Sequence, residues 1–138
     1  MSDHESAAWI GRAETCVDAL DPGHVRRVAL SLDDDPDQAR EHLPLLWHWA
    51  FFVEGQPYAR LGADGHPRRG GFLPPADDRN RMWAGGRLEF HLTLRVGRPG
   101  ERRSRIASVT EKTGRTGRLL FGTVEHHYFQ AGALCIEE

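Results

Sequence analysis

Three groups of residues in this 138-residue sequence carry side chains able to meet a ligand. The first is His48, whose imidazole both donates and accepts near neutral pH. It is the one clearly polar side chain in Leu43-Pro44-Leu45-Leu46-Trp47-His48-Trp49-Ala50-Phe51-Phe52-Val53. A lone histidine among apolar neighbours is more commonly a satisfied core residue, so the substrate contact is the sharper and less frequent reading. The second group is His66, Arg81 and Trp83, in a stretch rich in Gly, Pro and Arg between Glu54 and Gly86. Loops of that length inside a compact domain are uncommon and usually functional, and polar residues on them are good binding candidates. The third is the pair Arg68-Arg69, whose guanidinium forks match phosphate oxygens. An exposed charged turn explains the same pair as well.

Other constellations are weaker. His126-His127 are neighbours on an expected strand, so their rings point to opposite faces and do not share a metal ion. Asp33-Asp34-Asp35-Pro36-Asp37 lacks the Gly at the sixth and the Glu at the twelfth position of a calcium loop; it holds Gln38 and Pro44 there and reads as solvated loop. Arg102, Arg103 and Arg105 read as a wet strand face. No Gly-rich phosphate loop, Ser/His/Asp order or zinc spacing is present, and no catalytic or metal-ligating residue is assigned.

These residues need a frame. Leu43 to Val53 is apolar all round, with Pro44 suited to a first helical turn and Gly55 and Pro57 to follow it, so it is expected to be a buried helix. It is far shorter than the ~20 residues that span a bilayer, and its two tryptophans, Trp47 and Trp49, read as core. Upstream, Glu14 to Leu20 suits a strand. Asp21-Pro22 opens a helix whose apolar face is Val25, Val28, Ala29 and Leu32. Downstream the period falls to two: Leu88, Phe90, Leu92, Leu94 and Val96 alternate with Glu89, His91, Thr93 and Arg95. Further strands are expected at Arg103 to Lys112, Leu119 to Phe129 and Ala133 to Ile136. The short turns between them imply an antiparallel meander. In the strand at Arg103 to Lys112, Ile106 and Val109 share a face only through a bulge. Meander and apolar helix together give an α+β hotdog, a sheet wrapped around a central helix.

The length suits one domain, 1–138. A net charge of −2 and a pI near 6.4 point to no nucleic-acid or acidic-membrane partner. Cys16 and Cys135 have no ligand spacing, and Met1 to Glu5 lack the apolar core of a signal peptide; both fit a cytoplasmic protein. The sequence closes at Glu138 directly after a strand, which implies a sheet edge covered by a second domain or chain.

At Leu43-Pro44-Leu45-Leu46-Trp47-His48-Trp49, Leu61-Gly62-Ala63-Asp64-Gly65-His66-Pro67, Gly70-Gly71-Phe72-Leu73-Pro74-Pro75 and Arg81-Met82-Trp83-Ala84-Gly85-Gly86 the sequence resembles the N-terminal half of MaoC-like hydratases. These are the type 2 hydroxyacyl-thioester dehydratases, a group that includes mesaconyl-CoA hydratases. The likeness continues through Leu94-Arg95-Val96-Gly97 and Glu111-Lys112-Thr113-Gly114-Arg115. It departs at Leu45 and Thr93, where the family has Pro, and at Arg98-Pro99, where Gly-Asp is common. The resemblance implies a hotdog fold, an acyl-CoA thioester substrate, no separate cofactor, and addition or removal of water at an α,β-double bond. His48, His66, Arg81 and Trp83 would then meet substrate, and Arg68 and Arg69 the phosphates of coenzyme A. The family's catalytic Asp and His lie in a Gly-Asp-x-Asn-Pro-x-His string that is absent here. The resemblance places them on a second hotdog domain or subunit, in a homo- or heterodimer. Two other readings stay open: a non-catalytic acyl-thioester-binding scaffold, and a hotdog thioesterase with Glu41 or Glu54 as base.

Overall fold

The computed structural model describes residues 7–68, 70–75, 80, 82–115 and 117–138. Its elements in chain order are β1 (Ala13–Asp18), α1 (Pro22–Ser31), β2 (Glu89–Phe90), β3 (Gly100–Gly114), β4 (Gly117–Gln130) and β5 (Ala133–Glu137). The five strands form one antiparallel sheet in the order β1-β3-β4-β5-β2. The expected meander is the run β3-β4-β5. Its last turn is Ala131-Gly132, with φ of 50° and 80°. Positive φ at both central residues matches the right-handed twist of the strands it joins, and glycine adopts it without steric cost. Tyr128 pairs with Ile136 and Phe129 with Leu134, so the ladder slips by one residue between them.

By contact the chain divides into two units. One comprises the N-terminal segment up to Glu14 with Gly55–Gly86 and Ser104–Glu125. In it the Gly11 amide donates to the Ile106 carbonyl at 2.8 Å and the Ile106 amide to the Arg12 carbonyl at 2.9 Å. The other comprises Thr15–Glu54, Arg87–Arg103 and His126–Glu138. Its core gathers Cys16, Leu20, Val25, Leu43, Phe51, Phe52, Leu94, Tyr128, Cys135 and Ile136.

Helix α1 forms as the sequence indicates. Asp21 caps it, its Oδ1 accepting from the His24 amide at 3.0 Å, and Pro22 occupies the first turn. Val25 and Ala29 are buried and Val28 packs against the core. Leu32, expected on the same face, is 59% exposed. This is the only full α-helix among the described residues, and it lies upstream of the apolar run named as the central helix.

That apolar run is not an α-helix. Only Trp47–Ala50 makes a turn, of the 3₁₀ kind, preceded by Leu46 at φ 70° and followed by extended Phe51. Left-handed Leu46 and Phe52, the latter at φ 56°, interrupt any i→i−4 ladder. The run is only partly buried as well: Leu43, His48, Phe51 and Phe52 are inside, whereas Leu45, Leu46, Trp49 and Val53 are exposed, so the expected burial on every side is not met. Trp47 is half-buried against the core, whereas Trp49, expected inside, is 50% exposed.

The alternating run from Leu88 to Val96 also departs from a single strand. Glu89 and Phe90 pair with β5, and the amides of His91 and Leu92 both turn to the Cys135 carbonyl. The chain then changes partner: the Leu43 amide donates to the Leu94 carbonyl at 2.7 Å and the Val96 amide to the Glu41 carbonyl at 2.9 Å. Leu94 is buried while Leu92 is 52% exposed, so the two-residue period carries two short pairings.

Candidate functional site

A broad concavity of the second unit lies between α1 and the run that carries Trp47. It is an open groove of about 730 Å³, within the usual size of small-molecule sites. Val28 of α1 and Leu32, the residue that caps its C-terminal end, face Leu45, Leu46, Trp47 and Trp49 across it. Polar groups are few, as an apolar ligand requires. His24 is held on the groove wall, with Nε2 2.8 Å from the Ala50 carbonyl oxygen. Its Nδ1 accepts from the Arg27 guanidinium at 3.4 Å.

Beside the groove sits a buried cluster around His48, which is 1% exposed. Its ring meets Tyr128 edge-on at 4.9 Å and Phe90 at 5.8 Å. Neither ring nitrogen has a hydrogen-bond partner, and Nε2 lies 3.6 Å from Glu138 Oε2, an ion-pair distance beyond hydrogen-bond length. A cavity of about 10 Å³ against this ring, roughly the space of one water, is otherwise walled by Leu43, Leu45, Phe90, Leu94 and similar groups. Glu138 Oε2 also accepts from the Tyr128 hydroxyl at 3.1 Å, and Oε1 from the Trp49 indole at 3.1 Å.

The electrostatics follow from these contacts. For Glu138, burial pushes the carboxyl up, but the His48, Trp49 and Tyr128 contacts and nearby His126 outweigh it and hold the group below the ordinary range. Burial and the Glu138 carboxylate together push the Tyr128 phenol well up. Burial lowers His126, with Arg102 adding to that effect and Glu138 opposing it. At neutral pH the cluster therefore holds a carboxylate, a neutral phenol and a neutral His126 imidazole.

Of the residues singled out in the sequence, His48 stands in this unit and His66, Arg68 and Trp83 in the other. His66 and Arg68 share one tight loop: Leu61 bridges Pro67, and Gly62 donates to the His66 carbonyl at 2.8 Å. Gly65 turns the loop at φ 74°. The Arg68 Nε donates to the Leu61 carbonyl at 3.2 Å, so one edge of its fork is engaged. His66 and Arg68 are exposed, and Trp83 is 76% exposed. Arg69 and Arg81 fall outside the described residues. Glu41, weighed as a thioesterase base, lies exposed 3.4 Å from Arg95, and Glu54 is exposed too. His24, Leu45, Leu46 and Leu32 were not legible as groove residues, because only the fold brings α1 against the Trp47 turn.

A five-stranded antiparallel sheet with one α-helix and an apolar groove beside it is the hotdog architecture of the thioester-processing class. The chain belongs to the family of hydroxyacyl-thioester dehydratases of type 2, whose model matches residues 46–138. It is 42% identical over 140 residues to the mesaconyl-C(4)-CoA hydratase of Chloroflexus aurantiacus, an alignment that covers 100% of this chain and 50% of that protein. The chain thus spans about half the length of the curated relative it matches.

Proposed function

We propose that this chain is the acyl-pocket half of a hydro-lyase that adds water to, or removes it from, an enoyl-CoA thioester. The observation that carries the reading is the alignment of the whole chain with half of a hydratase acting on a CoA thioester. The apolar groove supports it: burying a chain there gains roughly 0.8 kcal/mol per methylene, and His24 and Arg27 stand at its wall to meet a polar end.

Hydration needs a base to activate water and an acid to protonate the α-carbon. The family's Asp-and-His string is absent from this sequence, so in this proposal both groups come from a second hotdog domain or subunit, in a homo- or heterodimer. This chain's part is to orient the acyl group and exclude bulk water. His48 and, from the loop unit, His66, Arg81 and Trp83 are proposed substrate contacts, and Arg68 and Arg69 contacts to the phosphates of coenzyme A. A cytoplasmic location accompanies the proposal, supported by Cys16 and Cys135, which are both buried thiols. No helix among the described residues is long and apolar enough to cross a membrane.

The test follows the absorbance of crotonyl-CoA and mesaconyl-CoA, with the purified chain alone and mixed with a domain carrying Gly-Asp-x-Asn-Pro-x-His. The expected result is turnover only in the mixture. Robust turnover by the chain alone would overturn the division of labour and direct the search for base and acid to His48, His66 and Glu54.

A further inference from the structure

Three adjacent strands of the second unit bring a set of metal-binding side chains together that no sequence spacing reveals. Glu89 of β2 pairs directly with Glu137 of β5, and Glu137 in turn with His127 of β4. Directly opposed residues of an antiparallel pair share a face, so the three side chains stand in one row. His91 follows Glu89 by two residues and joins the same face. Its Nε2 lies 2.7 Å from Glu137 Oε2, while His127 Nε2 lies 3.4 Å from Glu137 Oε1. One ligand atom each from Glu89, His91 and Glu137 lies within 4.8 Å of the other two.

We propose that Glu89, His91 and Glu137 bind a divalent transition-metal cation, zinc by chemical preference, with a water in the fourth position and His127 orienting the Glu137 carboxylate. The donor set is one imidazole nitrogen and two carboxylate oxygens, a composition suited to zinc with one open position. Two carboxylates directly opposed across a ladder repel one another, and a dication between them turns that repulsion into attraction. The exposed Arg87 guanidinium lies 3.9 Å from Glu89, a contact that a directly ligated ion displaces at little cost. His127, 3.4 Å from the far oxygen of Glu137, stands where an outer partner can orient a ligating carboxylate.

The experiment titrates the metal-stripped full chain with zinc chloride by calorimetry and with cobalt chloride by visible absorption. One equivalent is expected to bind in the micromolar range or tighter, with the intense visible bands of low-coordinate cobalt and a raised melting temperature. His91→Ala and Glu89→Gln, both at exposed positions, should each weaken binding at least tenfold, and His127→Ala less than either. His66→Ala, in the other unit, should change nothing. Failure of saturable binding would overturn the site, as would affinity unchanged in His91→Ala. A cobalt–thiolate charge-transfer band would overturn it too, by placing the ion on Cys16 or Cys135.

Discussion

Asp18 Oδ2 accepts from the backbone amide of Phe52 at 2.9 Å, while its Oδ1 accepts from the amide of Leu20 at 2.7 Å. Both amides belong to residues with left-handed backbone, Leu20 at φ 50° and Phe52 at φ 56°. One carboxylate at the end of β1 thus fixes two unfavourable conformations at opposite ends of the groove-forming stretch. Both side chains concerned are fully buried, so the strain is held by packing and by charge-assisted hydrogen bonds together.

Asp18→Ala is accordingly expected to cost about 2–3 kcal/mol, because two partly buried amides lose a charged acceptor. Asp18→Asn retains one acceptor oxygen and should cost roughly half as much. Urea unfolding measures both, and a loss below about 0.5 kcal/mol for the alanine variant would show that packing alone holds the turn.

His48 offers a second test, because both its ring nitrogens are buried without a hydrogen bond and only the Glu138 carboxylate lies near Nε2. A phenyl ring removes the two nitrogens that lack hydrogen bonds but also the Glu138 contact at 3.6 Å, so the two effects oppose and His48→Phe should change stability by no more than about 1 kcal/mol. If the imidazole meets substrate as proposed, the same variant should bind crotonyl-CoA at least tenfold more weakly. Undiminished affinity, read by calorimetry, would leave His48 as a core residue.

The parts of the fold set by local chemistry were legible in the sequence, and those set by chain pairing were not. The Asp21-Pro22 cap and the Ala131-Gly132 turn act through their own residues, and the structure follows them closely. The run from Leu43 to Val53 was misread as a helix buried all round. Leu43, His48, Phe51 and Phe52 are buried but Leu45, Leu46, Trp49 and Val53 are exposed, and apolarity on all sides carries no period that separates a helix from an irregular segment. The alternation from Leu88 to Val96 indicated one strand, which the structure keeps only at Glu89–Phe90 and at the single bridge of Arg95 to His42, with a bend at His91 and Leu92 between them. It did not disclose that residues 94–96 leave β5 for Glu41 and Leu43, a choice made by tertiary contacts. For the same reason His48 was visible as an isolated polar residue, while its neighbours Tyr128 and Glu138, distant in sequence, were not.

The pH dependence of stability should carry the signature of the buried cluster. Glu138 is held below its ordinary value in the folded chain, so its contribution is present above the unfolded carboxyl range and lost as pH falls through the folded value. His126 is also lowered. The unfolded chain then binds its proton first, and stability falls as pH drops below the unfolded imidazole range near 6.5. Melting curves from pH 8 downward should therefore show two declining steps. Glu138→Gln should flatten the more acidic step and His126→Gln the one that begins near neutrality. A single step that both variants leave unchanged would assign the acid sensitivity to other carboxylates.

The groove itself makes the most direct claim on function. Leu32 and Leu45 line it from opposite sides and are 59% and 58% exposed, so replacing either alters the groove with little cost to the core. Leu32→Asp or Leu45→Asp should change unfolding free energy by no more than about 0.5–1 kcal/mol. A carboxylate on the wall must be desolvated when an acyl chain enters, and each methylene left in water forfeits roughly 0.8 kcal/mol. Affinity for an acyl-CoA with a long saturated chain should then fall about tenfold or more, while that for acetyl-CoA, which has almost no chain to place there, should fall little. That chain-length dependence separates acyl binding from a general loss of the site. Equal losses for both thioesters would mean the groove holds the coenzyme end, and no loss for either would remove it from the substrate path.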